Sequence, residues 1–64
     1  MTAIETAYEL QHGQASPRVV FEAWCIAARQ AVSVYDKEVC VDHARRYARY
    51  MLGWERFHER MTHE

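Results

Sequence analysis

Cysteine, proline and glycine are all scarce in this chain, with two, one and two among 64 residues. Neither Cys25 nor Cys40 has a second cysteine at metal-ligand spacing, so both are expected to be small core residues of a cytosolic protein. If the chain turns back near residues 33–35, the two thiols lie at similar depth from the turn, and a bridge stays open. No linker, internal repeat or low-complexity segment is present, which makes residues 1–64 one domain. No run of about 18 apolar residues exists, so no membrane-spanning helix is expected. The N-terminus lacks a basic region followed by an apolar stretch, so no secretory signal is expected and the cytosol is the default address. An excess of one charge is missing too: eight Lys and Arg against nine Asp and Glu give a formal net charge of −1. That balance disfavours a general polyanion binder and removes long-range attraction to anionic membranes. Motifs of catalysis are also absent, with no glycine-rich phosphate loop, no nucleophile elbow and no isolated pair of carboxylates. We expect neither an enzyme nor a cofactor.

What the chain has in quantity is apolar surface. Half of its residues are hydrophobic and two are Trp. A domain of about 60 residues buries only about 60% of its unfolded surface, so small domains usually draw on a disulfide, a metal or a partner chain. The strongest pattern is a ladder in the second half: Cys40, Ala44, Tyr47, Met51, Trp54, His58 and Met61, spaced 4-3-4-3-4-3. That spacing puts seven side chains on one stripe of a helix and implies packing against other helices.

Capping signals divide the chain. Thr2 with Glu5 three residues later has the form of a capping box, and Gly13 supplies a stop, so residues 1–15 read as a short helical arm. Ser16 is a preferred N-cap, and Pro17 suits the first helical position because its missing N–H is not needed there. The helix that follows is expected to run to about Val34 and is apolar on nearly every side. Between residues 17 and 34 the only charges are Arg18, Glu22 and Arg29. Val20, Trp24, Ala27 and Ala31 form one stripe, Phe21, Cys25, Ala28, Val32 and Tyr35 the next, while Val19 and Ile26 lie on the far side. Such a helix belongs in the centre of a bundle. Ser33 and Asp36 signal the next start, with a tight connection near 33–36 and a last helix from about Lys37 to Met61. One continuous helix from 17 to about 61 is the rival, since no Gly or Pro interrupts 33–36. Gly53 costs roughly 1 kcal/mol against Ala in a helix interior, and marks a kink, a close-packing point or an early end.

Arg45-Arg46-Tyr47-Ala48-Arg49-Tyr50 is the densest candidate for a binding face. Arginines interleaved with aromatics suit phosphates, bases or an acidic protein groove, although Tyr47 falls on the packing ladder. Tyr35, Arg45, Arg46, Arg49, Tyr50, Arg56 and Phe57 are the residues expected to contact a partner, with the arginines steering acidic surfaces. Cys40 and His43 form a C-x-x-H pair on adjacent turns. Two ligands fall short of the four of a structural zinc site, so no metal is expected.

The Ser16-Pro17 helix start, the Ser33–Asp36 turn and the RRYARY-bearing last helix together resemble, in layout, small early phage proteins that block host regulators, such as the quorum-sensing anti-activators. That resemblance implies a helical-hairpin dimer that binds a host transcription factor or ATPase without catalysis, in the host cytoplasm. The expected fold is all-α: a helical hairpin over 16–64 with a short N-terminal arm over 1–15, dimerising into a four-helix bundle. The expected activity is stoichiometric binding that inhibits or modulates another protein. The alternative is a small nucleic-acid-binding regulator using the arginine face.

Overall fold

The computed structural model describes the backbone of residues 2–62 and the side chains of residues 2–56. Three helices follow one another: α1 (Ala3–His12), α2 (Pro17–Gln30) and α3 (Val34–Thr62). The described residues contain no strand.

Local chemistry sets most of the boundaries. Thr2 caps α1: its hydroxyl oxygen accepts from the Glu5 amide at 3.2 Å, and the hydroxyl donates to the Glu5 carboxylate at 3.1 Å. An otherwise unpaired first-turn donor is thereby satisfied. Gly13 ends the helix, its amide donating to the Glu9 and Leu10 carbonyls. Ser16 caps α2 and Pro17 opens it. Ser33 caps α3, where its hydroxyl accepts from the Asp36 amide at 3.0 Å.

The turn sits earlier than the sequence pattern implied. α2 stops at Gln30 rather than near Val34, and the connection is residues 31–33. The Ser33 cap draws residues 34–36 into the first turn of α3, so Val32 and Tyr35 leave the α2 stripe assigned to them. Val32 lies fully exposed in the turn, and Tyr35 is exposed on the first turn of α3. The hairpin itself is present, and the single continuous helix is not.

α2 runs antiparallel to α3, with Arg18 at its start reaching Glu55 through a 2.7 Å hydrogen bond. α1 lies back over α2. Its first residues sit beside Gln30, Val32 and Asp36, whereas Gln11 near its end meets Trp24 and His43. The arm is thus antiparallel to α2 and parallel to α3. It supplies cover that a bare hairpin lacks: Trp24 is 0% exposed within one copy, and Ala7, Val20, Ala27, Cys40 and Ala44 complete the core. One copy therefore keeps Trp24 out of water without a second chain. Val19 and Ile26 stay exposed on its far side.

The packing ladder is only partly used. Cys40 and Ala44 are buried, Tyr47 and Met51 half-buried, and Trp54 is 45% exposed. The side chains of His58 and Met61 lie outside the described residues. Length explains the fade: 29 residues of α3 span about 43 Å, against about 21 Å for the 14 residues of α2. Gly53 lies within α3 and does not end the helix, and among the described residues a Cβ there would meet nothing within 4 Å. Cys25 and Cys40 are both free thiols.

Candidate functional site

Two places in the molecule concentrate chemistry. The first joins all three helices. Trp24 and His43 stack with ring centroids 4.0 Å apart and planes 10° from parallel. Tyr8 meets both edge-on, at 4.9 Å from Trp24 and 5.4 Å from His43. Gln11 closes the group: its Oε1 accepts from Trp24 Nε1 at 3.0 Å and lies 3.1 Å from His43 Nδ1. The indole N–H only donates, so the amide atom facing it is the oxygen. That oxygen only accepts, so His43 Nδ1 carries a proton. The neutral ring is therefore the Nδ1–H tautomer, and acid adds its proton at Nε2. Burial pushes the His43 pKa below the ordinary 6.5; the nearby Arg46 cation adds to this and the Asp42 carboxylate opposes it. Burial, with a smaller contribution from Asp36, pushes the Cys40 thiol up, which disfavours the reactive thiolate.

This cluster is structural. His43, the second member of the C-x-x-H pair, stacks on Trp24 and faces Gln11. Among the described residues no group of three or more His, Cys, Asp or Glu is arranged to hold a metal ion.

The second place is the outer surface of α3. Arg45, Arg46, Arg49 and Arg56 are all exposed. Asp42, Arg45, Arg46, Arg49 and Tyr50 line one shallow, open depression. Tyr50 is 55% exposed and packs its ring edge-on to Tyr47, with centroids 5.4 Å apart. Leu52 is also exposed, on the Arg45 and Arg56 side. Arg18 on α2 behaves differently, reaching both Glu22 and Glu55. No ion pair engages Arg45, Arg46, Arg49 or Arg56 among the described residues.

Of the residues singled out from the sequence, the structure brings Arg45, Arg46, Arg49 and Tyr50 together, with Arg56 further along the same helix. Tyr35 stands apart: ten residues separate it from Arg45, a rise of about 15 Å. The side chain of Phe57 lies outside the described residues. Sequence reasoning missed Gln11, whose spacing of three from Tyr8, on the side of α1 that carries Ile4 and Ala7, is the signal available for it.

Comparison with known protein families, with curated proteins and with solved structures finds no match to this chain. Among the described residues no helix is long and apolar enough to cross a membrane.

Proposed function

We propose that this chain is a non-catalytic protein-binding module that inhibits or modulates another protein by occupying part of its surface stoichiometrically. The observation that supports this reading is the exposed arginine set of α3, without ion-pair partners among the described residues and flanked by Tyr50 and Leu52. Guanidinium groups engage carboxylates through two parallel hydrogen bonds. Arg and aromatic anchors carry much of the energy of protein interfaces. The favoured partner is therefore a protein presenting an acidic surface with an apolar element. A host regulator, of the kind blocked by the phage proteins this layout resembles, is one such target. Self-association into a homodimer with a four-helix seam belongs to the same proposal.

A nucleic-acid regulator is the second reading, favoured by the Arg-Tyr interleaving of residues 45–50. The formal charge of −1 and Asp42 within the arginine depression weigh against it, since phosphate contacts supply non-specific affinity.

The test is capture from the native cell with the wild type and with an Arg45→Glu/Arg49→Glu/Arg56→Glu variant. The expected result is a defined protein held in fixed ratio by the wild type and lost by the variant, whose thermal midpoint is unchanged. Retention of the same protein by both would remove the arginine face from the reading. Recovery of nucleic acid alone, with affinity falling steeply as salt rises, would replace it with the second reading.

A further inference from the structure

A hairpin of two antiparallel helices has two long grooves, one on each side of the line along which the helices meet. α1 fills one of them, packing beside Ala23 and Ile26 of α2 and meeting His43 of α3. The other groove is marked by the 2.7 Å hydrogen bond from Arg18 to Glu55, which joins the two helices on that side. On α2, Phe21 and Cys25 follow Arg18 at three and seven residues and share its side. On α3, Ala48 and Val41 precede Glu55 at seven and fourteen residues and share its side likewise. The position of α1 agrees with this. Cys25 is two residues from Ala23, and Val41 two from His43, which turns each about 160° around its helix from the α1 contact.

The floor of this second groove is apolar and mostly small. Phe21, Cys25, Val41 and Ala48 are each half-buried, and no helix among the described residues lies over them. Leu52, 51% exposed, extends the floor along α3. The rim is basic. Arg29, four residues after Cys25 on α2, and Lys37, Arg45 and Arg56 on α3 are all exposed. Glu55 is held by Arg18, which leaves Glu38, with Asp42 further out, as the acids of the α3 edge.

Shape and charge together select an occupant. The filled groove shows what the hairpin accepts: a ten-residue helix, seated with Ala7 fully buried. The open groove is about 21 Å long, the span of the 14 residues of α2. Cations on both edges match acids on both flanks of an apolar stripe. We infer that this groove binds an amphipathic helix of the partner protein, about three to four turns long, whose apolar stripe is bordered by Asp or Glu. The inference rests on reading the basic surface of α3 as a binding surface, which becomes one edge of a site completed by α2. A second copy of this chain fits less well. Its exposed Val19 and Ile26 have Glu22 as their neighbouring acid, and Arg18 already holds that carboxylate.

The probe is a synthetic peptide of about 14 residues, lactam-bridged to be helical when free, with Leu at every third or fourth position and Glu on both flanks. Fluorescence anisotropy reads its binding, with circular dichroism as the check on folding of each variant. Cys25 supplies a second readout, since it lines the groove while Cys40, the other thiol, is 0% exposed. The wild type is expected to bind the peptide, more weakly as salt rises, and bound peptide should slow modification of Cys25 by a thiol reagent. Ala48→Arg, which adds a cation yet fills the floor, and Arg45→Glu/Arg56→Glu should each raise the dissociation constant by about tenfold or more. A peptide with Lys in place of Glu should not bind. Absence of binding by the Glu peptide would overturn the inference, as would equal affinity for the Lys peptide. So would binding that leaves Cys25 as reactive as before or is unchanged in Ala48→Arg, which places the peptide on the outer arginines alone. Protection of Cys25 that grows with protein concentration in the absence of peptide would assign the groove to a second copy instead. Failure here is distinguishable from failure of the binding reading. A native partner kept by Ala48→Arg and lost by Arg45→Glu/Arg49→Glu/Arg56→Glu refutes the groove alone, whereas one kept by both variants refutes the arginine surface.

Discussion

Replacing Trp24 measures the core of this fold, because the indole is 0% exposed and tied to two other helices. A Trp side chain buries roughly 200 Å², and at about 25 cal/mol per Å² its removal from water is worth about 5 kcal/mol. That is an upper figure, since a real unfolded chain already hides part of the ring. Measured Trp→Ala costs of about 3–5 kcal/mol agree. Against this stands a total stability of about 3–10 kcal/mol for a chain of this length. Trp24→Ala should therefore leave little or no folded protein at room temperature. Trp24→Phe keeps a ring against His43 and loses the N–H bond to Gln11, a loss of about 1 kcal/mol before the smaller ring volume is counted. At roughly 4–8 °C per kcal/mol for a domain of this size, its midpoint should fall well below that of the wild type while the melt stays cooperative. Helical circular dichroism followed with temperature reads all of these. Trp54→Ala is the comparison, its ring being 45% exposed, and it should cost much less. Equal midpoints for Trp24→Ala and Trp54→Ala would refute the central placement of α2.

His43 makes stability pH-dependent. Its folded pKa lies below the ordinary 6.5, so the unfolded chain binds its proton first. The neutral ring's contribution is complete above about pH 6.5 and is lost as pH falls through the folded pKa. Melts at stepped pH should show this decline, and His43→Phe should flatten it. A wild-type profile no steeper than that of His43→Phe would remove the ring from the account. Gly53→Ala should stabilise by about 0.5–1 kcal/mol, because the helix runs through residue 53 and a Cβ there meets nothing within 4 Å among the described residues; a lower midpoint would mean that the helix is interrupted there. Ser33→Ala removes the α3 cap and should cost about 0.5–2 kcal/mol in the same assay. No loss would assign the start of α3 to packing rather than to the hydroxyl.

The starts of α1 and α2 were legible because each is set by chemistry within four residues, Thr2 with Glu5 and Ser16 with Pro17; for α3 the sequence offered both Ser33 and Asp36, and the start expected near Lys37 lies at Val34 because the Ser33 hydroxyl takes the Asp36 amide. The end of α2 was not legible. Residues 31–34 are Ala-Val-Ser-Val, with no breaker among them, and the chain turns there because Ser33 caps the following helix. The ladder of α3 identified the stripe that faces α2, yet periodicity carries no information about how far the covering helix extends. Trp54 shares the stripe of Cys40 and is half exposed because α2 begins alongside Glu55. Gln11 and His43 were illegible for another reason. Each is a polar residue that reads as surface in isolation, and only the three-helix arrangement brings an amide oxygen between an indole and an imidazole. The arginines of α3 were legible as a basic surface.

The way α1 is attached governs how the molecule comes apart. Its one fully buried residue is Ala7, and ten helical residues are marginal without tertiary support, so by its own contacts alone it would be the first segment to peel away. What lies beneath it, however, is the most expensive side chain in the protein to wet. Lifting α1 therefore costs nearly as much as complete disassembly, and half-open forms gain little population. A chain of this size thereby acquires an all-or-none transition, and amide protons in α1 and α2 should exchange at similar, slow rates rather than in sequence.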